Sequence, residues 1–210
     1  MQLRAAIFDF DGTLADTFVE VVSILNELSS EFGYRAAAPH EIEELRGVSP
    51  REVAKRLGVS WHKLPAIVTR ARAELAKHMT QIRPFDGIPA ALAELRARGV
   101  LVGLLTSNNR RNVDLFVSEH PIAFDFVSTG SGLWSKHRRL ARLLRQHDVA
   151  PEAAAYVGDE VRDIEAARAL GARAVAVCWG YTNPELLAAQ HPDVLVRQVA
   201  DLVAALAPDR

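Results

Sequence analysis

From residue 100 onward, short apolar runs alternate with segments of helical spacing, and few folds accept that pattern. Val100–Leu105, Phe126–Ser128, Ala153–Val157, Ala172–Val177 and Val194–Val196 read as buried strands, each bounded by turn or helix signals. Helical spacing fills the gaps at about 110–118, 136–147, 160–170 and 185–190, and a last helix closes the chain. Strands that alternate with helices pair in parallel and need cover on both faces. Leu3–Phe8 adds one more apolar run at the start. The expectation is an α/β fold, a doubly wound parallel sheet formed by both ends of the chain.

The region between these ends is different. Val21, Ile24, Leu25, Leu28 and Phe32 follow helical spacing over 16–32, and Gly33 is a natural stop. Glu41–Leu45 reads as a short helix. Ser49-Pro50-Arg51-Glu52 reads as a helix start, with Ser49 as N-cap, Pro50 in the first turn and Glu52 closing a capping box; Gly58 ends that helix. Trp61, Leu64, Val68, Ala71, Leu75 and Met79 share one stripe of the next. Nothing from about 18 to 80 reads as a strand. Four helices of this size bury little by themselves, so they should pack over something else. Pro84–Pro89 then turns into a helix with Leu92 and Leu95, ended by Gly99. The expected division is a core of residues 1–16 and 82–210 and an inserted helical cap, 17–81, acting as a lid.

Asp9-Phe10-Asp11-Gly12-Thr13-Leu14 follows the first strand directly. Two carboxylates thus lie at a strand's C-terminal end, where open α/β sheets hold their ligands. One apolar residue separates them, so they cannot both face the core. Gly12 permits a sharp turn, and Thr13 offers a hydroxyl and an N–H. Taken on through Ala15-Asp16-Thr17, this stretch resembles the first motif of the haloacid dehalogenase superfamily. The resemblance implies a phosphatase that works through an aspartyl-phosphate, and a helical cap between the first and second motifs, where the helical block lies here. It extends over the whole chain and is closest to the phosphoglycolate phosphatase-like members.

A phosphate monoester is largely a dianion at neutral pH. A carboxylate nucleophile approaching it meets a repulsion of about 4 kcal/mol for unit charges ~4 Å apart at an effective dielectric near 20. The site must therefore supply positive charge and hydrogen-bond donors. By the resemblance, Asp9 is the nucleophile and Asp11 the acid and base. Thr106, closing the strand Val102–Leu105, binds the phosphoryl group, with Ser107 and Asn108 adding N–H donors at the following helix start. Lys136 supplies the fixed ammonium, although Trp134-Ser135-Lys136-His137 departs from the family's usual Gly-Lys-Pro setting and Arg138, Arg139, Arg142 and Arg145 lie nearby. In Gly158-Asp159-Glu160-Val161-Arg162-Asp163, Asp159 is a metal ligand and Asp163 supports it or Lys136. The metal set is then the Asp9 carboxylate, the Asp11 backbone carbonyl and Asp159, a ligand count that suits Mg²⁺. Arg46, in Arg46-Gly47-Val48-Ser49, would read a substrate carboxylate or an outer phosphate oxygen. Trp179-Gly180-Tyr181 reads as a packed turn.

A net charge of −1 gives no field that favours nucleic acid or membrane. No apolar run approaches the ~18 residues of a membrane span, and the chain enters its first strand without a signal-peptide pattern. The single cysteine, Cys178, excludes an intramolecular disulfide and fits a reducing compartment. The expectation is a cytoplasmic monomer or homodimer acting on a small phosphorylated metabolite. A phosphomutase of the β-phosphoglucomutase type is the alternative, because it shares the nucleophile and the acid. A 2-haloacid dehalogenase fits less well, because that branch needs no acid at Asp11. A non-catalytic binding protein leaves the full set of charged residues without a role.

Overall fold

A computed structural model of the chain describes residues 2–130 and 136–207. Six strands form one parallel sheet: β1 (Ala5–Phe8), β2 (Leu101–Leu105), β3 (Phe126–Ser128), β4 (Ala154–Gly158), β5 (Arg173–Val177) and β6 (Val194–Val196). Their order is β3-β2-β1-β4-β5-β6, with β1 between β2 and β4. The winding reverses direction between β1 and β4, and this is where such sheets open a crevice at their carboxyl ends.

Period-two alternation divides β1 between two cores. Ala6 and Phe8 pack on one face with Val102, Leu104 and Val157, and Ala5 and Ile7 pack on the other with Leu105, Tyr156 and Ala174. All four β1 residues are buried, which explains why the strand reads as an unbroken apolar run. Cover comes from α5 (Ile88–Ala97), α6 (Arg110–Glu119), α7 (Lys136–Gln146), α8 (Val161–Arg168), α9 (Pro184–Ala188) and α10 (Leu202–Leu206).

The region between β1 and α5 is helical: α1 (Phe18–Phe32), α2 (Ile42–Arg46), α3 (Pro50–Arg56) and α4 (Leu64–His78). Gly33 ends α1 in the left-handed conformation (φ 68°). Ser49 caps α3 by accepting the Glu52 N–H, but the box is not completed. The Glu52 carboxylate turns forward along the helix to Arg56 instead of back to the Ser49 N–H. The α4 stripe also departs from expectation at one end. Trp61 lies in a 3-10 turn before α4, out of helical register and 57% exposed, while Ile67 joins Leu75 and Met79 in the buried set. The two connections to this helical region run side by side: Asp16 N–H donates to Arg83 O and Phe85 N–H to Leu14 O. No helix among the described residues is long and apolar enough to cross a membrane.

Candidate active site

The loop after β1 coils tightly: Thr13, Leu14 and Ala15 all donate their N–H groups to Phe10 O. Phe10 is driven into the core, edge-on to Phe116 at 5.0 Å, and this turns its two acidic neighbours toward the strand ends. Gly12 stands at φ +76°, and a Cβ there would lie 2.3 Å from Asp159 Oδ2. Only glycine satisfies both the backbone and the contact.

Asp9 (3% exposed) meets Lys136, the first residue of α7, with Nζ 2.6 Å from Asp9 Oδ2. The same ammonium donates to Asp163 Oδ1, while Asp163 Oδ2 accepts the Glu160 N–H at 3.1 Å. Burial opposes the Lys136 charge, but Asp163 and Asp9 outweigh it and hold its pKa well above the ordinary lysine range. Trp134 and Ser135, just before this lysine, lie outside the described residues. Of the neighbouring arginines, Arg139 is committed to the carbonyls of Thr106, Ser128 and Gly130.

Asp159 is buried at the end of β4. Its Oδ1 accepts the Thr13 hydroxyl at 2.6 Å and its Oδ2 the Tyr181 N–H at 2.8 Å. Burial pushes its pKa well up, and Glu160, Asp163 and Asp9 push it further. Oxygens of Asp9, Asp159 and Asp163 lie within 4.8 Å of one another. One ammonium does not neutralise three buried carboxylates, and the residual negative charge is what a divalent cation would offset. Asp163 is already charge-paired with Lys136 through one oxygen and holds the Glu160 N–H with the other, whereas Asp159 accepts only from neutral donors and Asp9 keeps one oxygen off Lys136, so Asp9 and Asp159 are the better side-chain donors to such an ion.

Asp11 is held apart from this cluster. Asn108 Nδ2 donates to both of its oxygens (3.1 and 3.0 Å) and Thr17 Oγ1 to Oδ1 (3.2 Å). The Asn108 amide is oriented in turn, because its Oδ1 accepts the Asn109 N–H (2.8 Å) and Asn112 Nδ2 (2.9 Å). Burial and the nearby Asp9 raise the Asp11 pKa to about 6, against the lowering effect of Asn108 and Thr17. Thr106 lies at the end of β2, and its hydroxyl oxygen accepts the Asn108 N–H at 2.9 Å, which leaves the hydroxyl proton to donate.

The sheet thus brings Asp9, Asp11, Thr106, Lys136, Asp159 and Asp163 to one edge. A family model for haloacid dehalogenase-like hydrolases matches residues 6–177, a span that contains all six. The chain belongs to that family. The phosphoglycolate phosphatase of Synechococcus elongatus is 37% identical over 206 residues, covering 97% of this chain and 97% of its own. The N-acetylmuramic acid 6-phosphate phosphatase of Pseudomonas aeruginosa is 26% identical, covering 98% of this chain and 96% of its own. Among solved structures, CbbY from Rhodobacter sphaeroides in complex with phosphate superposes with a TM-score of 0.74 at 25% identity, over 98% of this chain and 99% of that one. A candidate phosphoglycolate phosphatase from Lactobacillus delbrueckii subsp. bulgaricus superposes with a TM-score of 0.81 at 25% identity over the full length of both chains.

Two expectations about this haloacid dehalogenase-like site change. Ser107 and Asn108 do not begin the next helix: α6 starts at Arg110 with Asn109 as its N-cap. The Asn108 N–H is taken by Thr106, and its side chain serves Asp11 instead; Ser107 is buried beside it. Arg46 is not a free reader of substrate. Its guanidinium donates to the Gly180 and Tyr181 carbonyls, pairs with Glu43 and lies 4.9 Å from the Phe18 ring centroid. It straps the helical region to the loop after β5, because its own carbonyl also accepts the Asn183 N–H.

Sequence reading missed Thr17, Tyr181 and Asn112. The Tyr181 hydroxyl lies 2.7 Å from Thr17 Oγ1, across 164 residues of chain. No local signal connects such a pair. Asn112 is more accessible, since it lies four residues after Asn108 and can therefore reach back to it.

Proposed function

We propose that this chain is a phosphatase that hydrolyses a small phosphate monoester through an aspartyl-phosphate on Asp9, with Mg²⁺ as cofactor and phosphoglycolate as the first substrate to test. The observation that carries this reading is the separation of two carboxylates only two residues apart. Asp9 is charge-paired with Lys136, and Asp11 is held by neutral donors and raised to about 6. One environment suits a nucleophile and the other a proton carrier.

In the first step an Asp9 oxygen attacks phosphorus, and the bond to the leaving oxygen breaks as Asp11 gives that oxygen its proton. In the second, Asp11 takes a proton from a water that attacks phosphorus. The Asp9–phosphorus bond then breaks, and inorganic phosphate leaves. Lys136 has three N–H donors and spends two on Asp9 and Asp163, so the third is available to a phosphoryl oxygen. The Thr106 hydroxyl proton donates to another. The Asp9 and Asp159 carboxylates and the Asp11 carbonyl would hold Mg²⁺, which when bound would supply positive charge to offset repulsion between Asp9 and the phosphate. Asp163 keeps Lys136 charged and in place.

On this reading residues 1–16 and 82–210 form the catalytic core, and 17–81 form a cap that closes over Asp9 to exclude bulk water. The substrate is a small phosphorylated metabolite. The free Cys178 suits a reducing, cytoplasmic setting.

The test is phosphate release from phosphoglycolate with and without metal. EDTA should abolish it and Mg²⁺ restore it. Ca²⁺ should not, because its larger, looser coordination shell would misplace the attacking oxygen. Undiminished phosphate release in metal-free buffer would remove the metal from the account.

A further inference from the structure

Thr17 stands at the N-cap of α1, yet its side chain accepts no N–H from the first turn, which is the usual work of a threonine there. The hydroxyl of this fully buried residue is committed elsewhere. It lies 3.2 Å from Asp11 Oδ1 and 2.7 Å from the Tyr181 hydroxyl. A threonine hydroxyl has one proton to give. With that proton on Asp11, the shorter contact is a donation from Tyr181, whose hydroxyl has no other partner among the described residues. The hydrogen bonds therefore run one way, from Tyr181 through Thr17 to Asp11 Oδ1. Asn108 touches both Asp11 oxygens and does not distinguish them, whereas Thr17 touches one.

Tyr181 is itself fixed from several sides. Its N–H donates to Asp159 Oδ2 (2.8 Å), its carbonyl accepts from Arg46, and its ring centroid lies 5.4 Å from that of Phe18. Just before it, a Cβ on Gly180 would lie 2.3 Å from Asp159 Cβ, and the Trp179 indole N–H donates to Thr13 O (3.0 Å). Residues 179–181 are thus clamped onto the loop after β1 and the end of β4. A hydroxyl carried on so constrained a segment has its position set before any substrate arrives, as a supporting group for a reacting carboxyl requires.

We propose that Tyr181 is a positioning residue for the acid step: acting through Thr17, it keeps a donor on Asp11 Oδ1, so that Oδ2 carries the proton given to the leaving oxygen. Without the Tyr181 hydroxyl, Thr17 is free to turn its own hydrogen away and accept the Asp11 proton on the Oδ1 side, where it is withheld from the substrate. The base step is less sensitive, because a charged Asp11 draws the Thr17 hydrogen unaided. The inference rests on the phosphatase reading and adds to it the residue that orients its proton carrier.

The experiment compares esters that differ in their need for an acid. Phosphoglycolate releases an alkoxide that must be protonated, whereas p-nitrophenolate leaves with little help, and kcat/KM reports only the steps up to the aspartyl-phosphate. In Mg²⁺, Tyr181→Phe keeps the ring and the backbone contacts. It should lower the ratio of kcat/KM for phosphoglycolate over p-nitrophenyl phosphate by about tenfold, part of the ~10²–10⁴-fold that a positioned acid supplies. Ethyl phosphate, an alkyl ester without a carboxylate, should respond as phosphoglycolate does. Thr17→Val should lower the ratio at least as far, and Thr17→Ser should restore most of it. Adding Tyr181→Phe to Thr17→Val should cost nothing more, because the two hydroxyls act in series. The ratio is independent of the amount of folded enzyme, so a loss of stability alone would leave it unmoved. If Thr17→Val does not fold, Tyr181→Phe decides. An unchanged ratio in Tyr181→Phe, effects of the two substitutions that multiply, or a loss confined to phosphoglycolate overturns the proposal and leaves the phosphatase reading standing. A wild type inactive on all three esters overturns that reading and the proposal with it.

Discussion

Asp9→Asn should lower turnover of every phosphate ester by about 10⁴-fold, or ~5.5 kcal/mol at ~1.4 kcal/mol per decade, while the protein stays folded. The amide is nearly the same size as the carboxylate but is a poor nucleophile. The local structure explains why the fold should survive. Lys136 loses one of two carboxylate partners and keeps Asp163, whose other oxygen remains on the Glu160 N–H. A buried ammonium stripped of every partner would destabilise the protein strongly, but this one is not stripped. Steady-state phosphate release alongside a thermal melt checks both halves. Near-normal hydrolysis by a folded variant would take the nucleophile's role away from Asp9.

Asp11→Asn should give a different failure, in which the two half-reactions separate. The p-nitrophenolate leaving group needs little protonation, so p-nitrophenyl phosphate should still phosphorylate Asp9. The second step lacks its base and should slow by about 10²–10⁴-fold, the usual contribution of a positioned acid or base. The expected trace is one burst of nitrophenol per enzyme, followed by a stall. An alkyl phosphate should show no burst, because both steps need Asp11. The substitution also sets an amide NH₂ against the Asn108 NH₂, which cannot simply rotate because Asn109 and Asn112 hold its oxygen. Steady turnover without a burst would mean that another group carries the proton.

Strand ends were the most legible part of this chain. Asp9, Thr106 and Asp159 each follow an apolar run directly, and parallel pairing brings such ends together whatever the sequence distance. Lys136 was harder to read because basic residues crowd its helix. Three-dimensional packing resolves them, with Lys136 buried between two carboxylates and Arg139 turned to backbone carbonyls. Arg46 misled because a glycine-flanked arginine in a loop suggests freedom, whereas its partners, the Gly180 and Tyr181 carbonyls, are 134 and 135 residues away.

The central claim is that Asp9 becomes phosphorylated, and trapping that species tests it most directly. The enzyme with Mg²⁺ is mixed with substrate, quenched in acid within the first turnover, and digested for peptide mass mapping; Asp11→Asn, in which the adduct should accumulate, serves as the amplifying background with p-nitrophenyl phosphate. The account predicts a peptide spanning residues 5–35 that gains the mass of one phosphoryl group, with fragmentation placing it on Asp9. Phosphate release with no protein-bound phosphoryl group under these conditions, or an adduct on any other residue, would contradict it.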